Sequence, residues 1–198
     1  MRKILSFLVL ILVTVMYASA QQNKSSLLLI DIQNFYFAGG RSELVEPVKA
    51  AENAAKLLAE FRKEGKLVVH VRHNSEPGGE IYKLVEPLPG EKIVSKSAVN
   101  CFVGTDLLDF LRSEKVDTLV ICGMQTHMCV EAATRAASDY GFKCILVGDA
   151  CATKDVKYGD KVVKAEDVHY STLGTMRSYA KVESTEEFLS RISGTRVL

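Results

Sequence analysis

Apolar runs and amphipathic runs take turns along this chain. SLLLID (26–31), KLVVHVR (66–72), KIVSK (92–96), VDTLVIC (116–122), CILV (144–147) and AKVES (180–184) read as strands. Their continuous β-branched and leucine-rich character fits strands buried on two faces. Between them, VEPVKAAENAAKLLAEFRKEG, TDLLDFLRSEK, EAATRAASDY, residues 160–178 and TEEFLSRI have helical spacing. Gly65 and Gly141 stand where a glycine ends a helix. This alternation predicts an α/β fold: a three-layer α-β-α, Rossmann-like sandwich around a mostly parallel sheet. A Pro/Gly-rich loop from Asn74 to Gly90 carries little predicted structure. The most informative stretch runs from Val116 to Ala150 as strand, sharp turn, helix, strand, with Cys129 where the first strand hands over to the helix.

The first residues follow a different pattern. Arg2 and Lys3 precede the apolar run LSFLVLILVTVM, and Ala18-Ser19-Ala20 matches a small-residue cleavage site. Residues 1–20 therefore read as a signal peptide and 21–198 as a single domain. The protein is expected to be exported, periplasmic or secreted; the alternative is an uncleaved N-terminal anchor. The formal net charge is +1 with acids and bases interspersed, which gives no footprint for nucleic acid or an anionic membrane. The five cysteines (101, 122, 129, 144, 151) are odd in number and form no C-x-x-C pair. That spacing points away from a disulfide framework, a zinc site or a dithiol redox motif. Cys122 and Cys144 fall in buried strands and read as small core hydrophobes.

Functional residues of parallel α/β sheets gather at the carboxyl ends of strands. That rule picks out Asp31, Lys96 and Cys129. A helix N-terminus favours a thiolate over a thiol, a carboxylate accepts a thiol proton, and an ammonium stabilises the thiolate that forms. Taken singly, each has an ordinary reading: a turn-forming Asp, a solvated Lys, a buried Cys.

The motifs around these residues resemble the isochorismatase-like cysteine hydrolases. LLLIDIQNFY looks like the family's first-strand D-x-Q motif. KSAVNCFVGTDL resembles its lysine segment, and GMQTHMCVEAATRAASDYGF its G-x-x-T-x-x-C-V segment; DACAT and VHYSTL fit too. The resemblance spans nearly all of the mature chain and implies Cys129 as nucleophile, Asp31 as general base and Lys96 as the charge-stabilising member. It also implies a non-proline cis peptide at Met124–Gln125, with the backbone N–H groups of Gln125 and Cys129 forming an oxyanion hole. Gln33, Phe35, Tyr36 and Phe102 stand where the pocket is expected, although Phe102 reads equally well as core filler.

Nicotinamidase-like members bind a metal through Asp-x-His on the second strand. VHVRHNSEPG lacks that set, so no metal and no other cofactor is expected. His70 reads as a core residue, whereas His73 fits a pocket or a structural role. The resemblance implies C–N bond hydrolysis of a small amide, ureido or carbamoyl compound through a thioester. The alternatives are isochorismatase-type ether hydrolysis, a binding protein with an idle triad, or a redox sensor in which Cys101 or Cys151 resolves Cys129. A small-molecule substrate and a homo-oligomer, dimer or tetramer, complete the expectations.

Overall fold

A computed structural model describes residues 24–194. The expected signal segment 1–20 lies outside the described residues. Six parallel strands form the central sheet: β1 (Lys24–Ile30), β2 (Leu67–His73), β3 (Lys92–Lys96), β4 (Val116–Met124), β5 (Lys143–Ala152) and β8 (Lys181–Glu183). Their order is β3-β2-β1-β4-β5-β8. Helices α1 (Pro47–Lys63), α2 (Leu107–Ser113), α3 (Glu131–Asp139), α4 (Ala165–Met176) and α5 (Thr185–Ser193) supply the outer layers. The α/β class and its parallel sheet are as the apolar pattern predicts.

The sheet centre is fully apolar because β1 and β4 are covered on both faces. Leu27, Leu28, Ile30, Leu119, Ile121 and Cys122 have no exposed surface. α1 starts with Pro47 at its first turn and buries Ala50, Ala54, Leu57, Leu58 and Phe61 along one stripe. α5 opens on a capping box in which Ser184 and Glu187 satisfy each other's backbone N–H groups. A half-buried carboxylate, Glu91, fastens α1 to β2: it takes two 2.8 Å bonds from Arg62 and lies 2.9 Å from His70 Nε2. The core reading of His70 therefore holds, with burial pushing its pKa down.

One part of the chain departs from expectation. The predicted helix 160–178 begins only at Ala165, because Val156–Tyr158 (β6) and Lys161–Val163 (β7) form an antiparallel hairpin first. Its short strands are almost wholly exposed and lysine-rich, so no burial imprints an alternating pattern on the sequence. The 74–90 loop also contains more than expected: a bridge from Gln33 to Ile81 and a helical turn, Lys83–Val85, that buries Val85.

The approach of β4 to β1 depends on Gly123. It has φ +128°, and a Cβ there would lie 2.0 Å from the Ile30 carbonyl oxygen. No side-chain rotation relieves a clash with backbone. Gly123→Ala is expected to lower the unfolding free energy by more than about 2 kcal/mol. Gly65, at φ +60° with nothing within 4 Å, should cost only about 1–2 kcal/mol on the same change. Denaturant titration of the two variants checks the difference.

Candidate active site

Sheet order builds this site. β3, β2, β1 and β4 are neighbours, and the parallel register brings their carboxyl ends to one edge: His73 pairs with Lys96, and Ile30 with both Val71 and Gly123. Each of these four strands leads to one polar group at that edge. Lys96 ends β3, His73 ends β2, Asp31 follows β1, and Cys129 lies in the turn after β4.

The first, third and fourth of these meet. Lys96 Nζ lies 2.7 Å from Asp31 Oδ2 and 3.3 Å from Cys129 Sγ. All three are buried, with 1 %, 0 % and 6 % of the surfaces of Lys96, Asp31 and Cys129 exposed. Lys96 also donates to the Ala98 carbonyl at 3.1 Å and faces His73 Nδ1 at 3.2 Å. An ammonium has three N–H groups and here has four neighbours. The three predicted catalytic residues are thus brought into one contact set, with His73 as an additional member.

Asp31 sits in the left-handed region at φ 49°, which Asp tolerates better than most residues. Burial raises its pKa, and the Lys96 charge and hydrogen bond oppose that rise. For Lys96, burial disfavours the ammonium, but the charge and hydrogen bond of Asp31, with Cys129, outweigh it and hold the pKa above its ordinary value. Burial, then the Asp31 charge, pushes the Cys129 thiol up to about 12, with Lys96 opposing. Burial thus works against the thiolate that a helix N-terminus would favour. Cys129 lies within a wide turn, Thr126–Val130, ahead of α3.

The Met124–Gln125 peptide is cis, as the resemblance implies. Gln125 Nε2 approaches the Tyr36 hydroxyl at 3.4 Å. Burial pushes that phenol up to about 12, so it is neutral. Two further hydrogen bonds brace the nucleophile turn: Thr126 Oγ1 with His169 Nδ1 at 2.9 Å, and His127 Nδ1 with Thr153 Oγ1 at 2.6 Å. Thr153 and His169 also line a concavity of about 640 Å³. None of Asp31, Lys96 and Cys129 lines it.

The remaining expected residues divide. Phe35 and Tyr36 form a buried edge-to-face pair at 4.3 Å beside the site. Gln33 spends its carboxamide on backbone: Nε2 donates to the His73 and Gly79 carbonyls at 3.0 and 2.7 Å, and Oε1 accepts the His73 N–H at 2.7 Å. Its place is to tie the loop after β1 to the loop after β2, in contrast to the substrate contact expected of it. Phe102 packs edge-to-face on Tyr140 at 5.3 Å, which favours its structural reading. Of the two cysteines considered as resolving partners, Cys101 is close enough to feel the charges of Asp31, Lys96 and Cys129. Cys151 instead faces the Val147 carbonyl, with Cys122 nearby. All five cysteines are free. Among the described residues no group of three or more His, Cys, Asp or Glu is placed to hold a metal ion. Sequence reasoning missed the bracing pairs at Thr126 and His127 and the position of Arg41, whose guanidinium lies over the Phe35 ring. For Thr126 and His169 the signal was already in two separate motifs; nothing local marks the others.

A parallel sheet with a buried Asp–Lys–Cys contact set at its carboxyl edge is an α/β architecture with a candidate active site. The model of the isochorismatase domain matches residues 25–187, and the chain belongs to that family. It is 45% identical over 177 residues to an uncharacterized isochorismatase family protein, YddQ, of Bacillus subtilis, covering 83% of this chain and 98% of that one. It is 30% identical over 181 residues to a maleamate amidohydrolase of Pseudomonas putida, covering 72% and 84%. The crystal structure of a putative isochorismatase hydrolase from Oleispira antarctica superposes with a TM-score of 0.83 at 40% identity, covering 86% and 98%.

Opposite signs of charge act on Cys129, and they separate in variants. Asp31→Asn is expected to speed alkylation of Cys129 by iodoacetamide at pH 8.5, and Lys96→Met to slow it. Each unit of thiol pKa changes the thiolate fraction about tenfold. Peptide mass spectrometry reads Cys129 apart from the other four thiols. Equal rates in the two variants would contradict the charge assignment.

Proposed function

We propose that this protein is a cysteine-dependent hydrolase that cleaves a C–N bond of a small amide, ureido or carbamoyl compound. The observation that carries the reading is a single buried ammonium, Lys96, touching both Asp31 and Cys129. Asp31 takes the thiol proton while Lys96 holds the charge on sulfur. The thiolate adds to the carbonyl carbon, and the backbone N–H groups of Gln125 and Cys129 receive the oxyanion. Protonated Asp31 returns its proton to the departing amine, the C–N bond breaks and a thioester remains. Asp31, again a carboxylate, removes a proton from water, whose oxygen attacks the thioester; carboxylate and thiol are regenerated. Maleamate amidohydrolase, a relative by sequence, supports C–N chemistry over ether cleavage, as does the presence of the thiol itself.

Ammonia release from a panel of small amides, ureido acids and carbamoyl compounds tests the reading on protein lacking residues 1–20. Cys129→Ala should abolish release, and Asp31→Asn should lower kcat about 10²–10⁴-fold. Activity that survives Cys129→Ala would refute it.

We infer export from residues 1–20 alone. Mature protein that begins at Gln21 bears out cleavage after Ala20, and mature secreted protein that begins at Met1 refutes that cleavage.

A further inference from the structure

The loops leaving β1 and β2 carry a charge that the triad does not use, and the role assigned to it rests on the proposed amide hydrolysis. Arg41 lies 5.0 Å from the centroid of the Phe35 ring and donates to Ser75 Oγ on the neighbouring loop. Its charge is felt by Tyr36 and by His73. Those two residues reach the site directly, Tyr36 through Gln125 and His73 through Lys96. Arg41 is therefore anchored over the Phe35 ring, within electrostatic reach of two residues that contact the site.

Charges around it do not cancel. Inside the site Asp31 balances Lys96, and Cys129 is a thiol. Tyr36 is a neutral phenol. His73 is pushed toward the neutral imidazole by burial and by Lys96. Three carboxylates of the same two loops are turned elsewhere: Glu43 accepts the Gly39 N–H at 3.3 Å, Glu76 pairs with Arg72 at 3.5 Å, and Glu80 accepts from Asn34 at 3.4 Å. Among the described residues no carboxylate lies within ion-pair distance of Arg41. Lys154 adds to the same sign of charge, since its Nζ donates to Ser42 Oγ, one residue along, at 3.2 Å.

We propose that Arg41 is a specificity-determining residue that selects substrates carrying a carboxylate, held at the mouth while the amide carbon at the other end of the same small molecule reaches Cys129. The guanidinium offers a planar fork of donors that matches a carboxylate. Stacking on Phe35 and the bond to Ser75 hold it in place before the ligand arrives, which lowers the entropy lost on binding. An arginine that is merely solvated would leave neutral and anionic substrates equivalent.

The test separates binding from turnover. Cys129→Ala protein is titrated calorimetrically with a series of ω-amide carboxylates of increasing chain length, succinamate among them, and with their uncharged diamides. The carboxylates are expected to bind about 10–100-fold tighter than the diamides. Arg41→Gln in the same background should remove most of that preference while leaving diamide affinity within about twofold, and Arg41→Lys should restore only part of it. Circular dichroism confirms that each variant is folded. A series with no carboxylate preference, or a preference unchanged by Arg41→Gln, overturns the proposal. Because binding needs no chemistry, selective binding without ammonia release from the parent enzyme would count against the hydrolase reading alone. Efficient release from diamides and carboxylates alike would count against Arg41 alone.

Discussion

The buried Asp31–Lys96 pair is the constraint around which this molecule is arranged. Two unit charges without exposed surface cost several kcal/mol each to remove from water, and their attraction offsets that only in good geometry. Strand order explains how the geometry is reached. β3 is the sheet edge and β1 lies two strands away, a separation of about 10 Å at the usual strand spacing. Only a long side chain bridges that gap. Lysine does, and passes His73 of the intervening strand on its way. A shorter base on β3, or an acid one strand further, would leave an uncompensated charge in the core.

The same pair decides the resting state of the nucleophile. Lys96 and Asp31 act on Cys129 with opposite sign, so the ion pair largely cancels its own effect on sulfur. Burial is then decisive, and it favours the neutral thiol. An unreactive resting thiol suits a site whose proton acceptor is already in contact. In the proposed reaction the thiol proton moves to Asp31, and total charge within the site stays constant. Thus the low-dielectric surroundings that oppose a free thiolate do not oppose the transfer. His73 adds a neutral neighbour to Lys96, so one Lys96 N–H has an alternative acceptor while sulfur is protonated.

The catalytic edge was legible in the chain because it is written locally. Apolar runs that end in Asp31 or Lys96, and a cysteine between a strand and a helix, are patterns of adjacent residues. Parallel topology then forces their ends together. The β6–β7 hairpin left no such trace, since its residues bury nothing. The burial of Cys129 was not legible, because it depends on what covers the residue, which is distant in sequence. Gln33 shows the same limit: its motif position is recognisable, but its bonds to His73 and Gly79 cross 40 and 46 residues.

Those Gln33 bonds also divide the labour within the site. In the proposed reaction the chemistry rests on strand ends that the sheet fixes, whereas Arg41, to which we assign ligand selection, rests on the loop after β1 and bonds to the loop after β2. Gln33 is a buried rivet between those loops, and Arg41 with Ser75 is an exposed one. A change at Arg41 therefore alters the potential at the mouth without moving Asp31 or Lys96, both of which are held from below by strands. A change at Gln33 frees the His73 backbone and, through its ring, one neighbour of Lys96. The loop after β2 meets the buried ammonium at His73, and the loop after β1 meets the Gln125 side of the site at Tyr36.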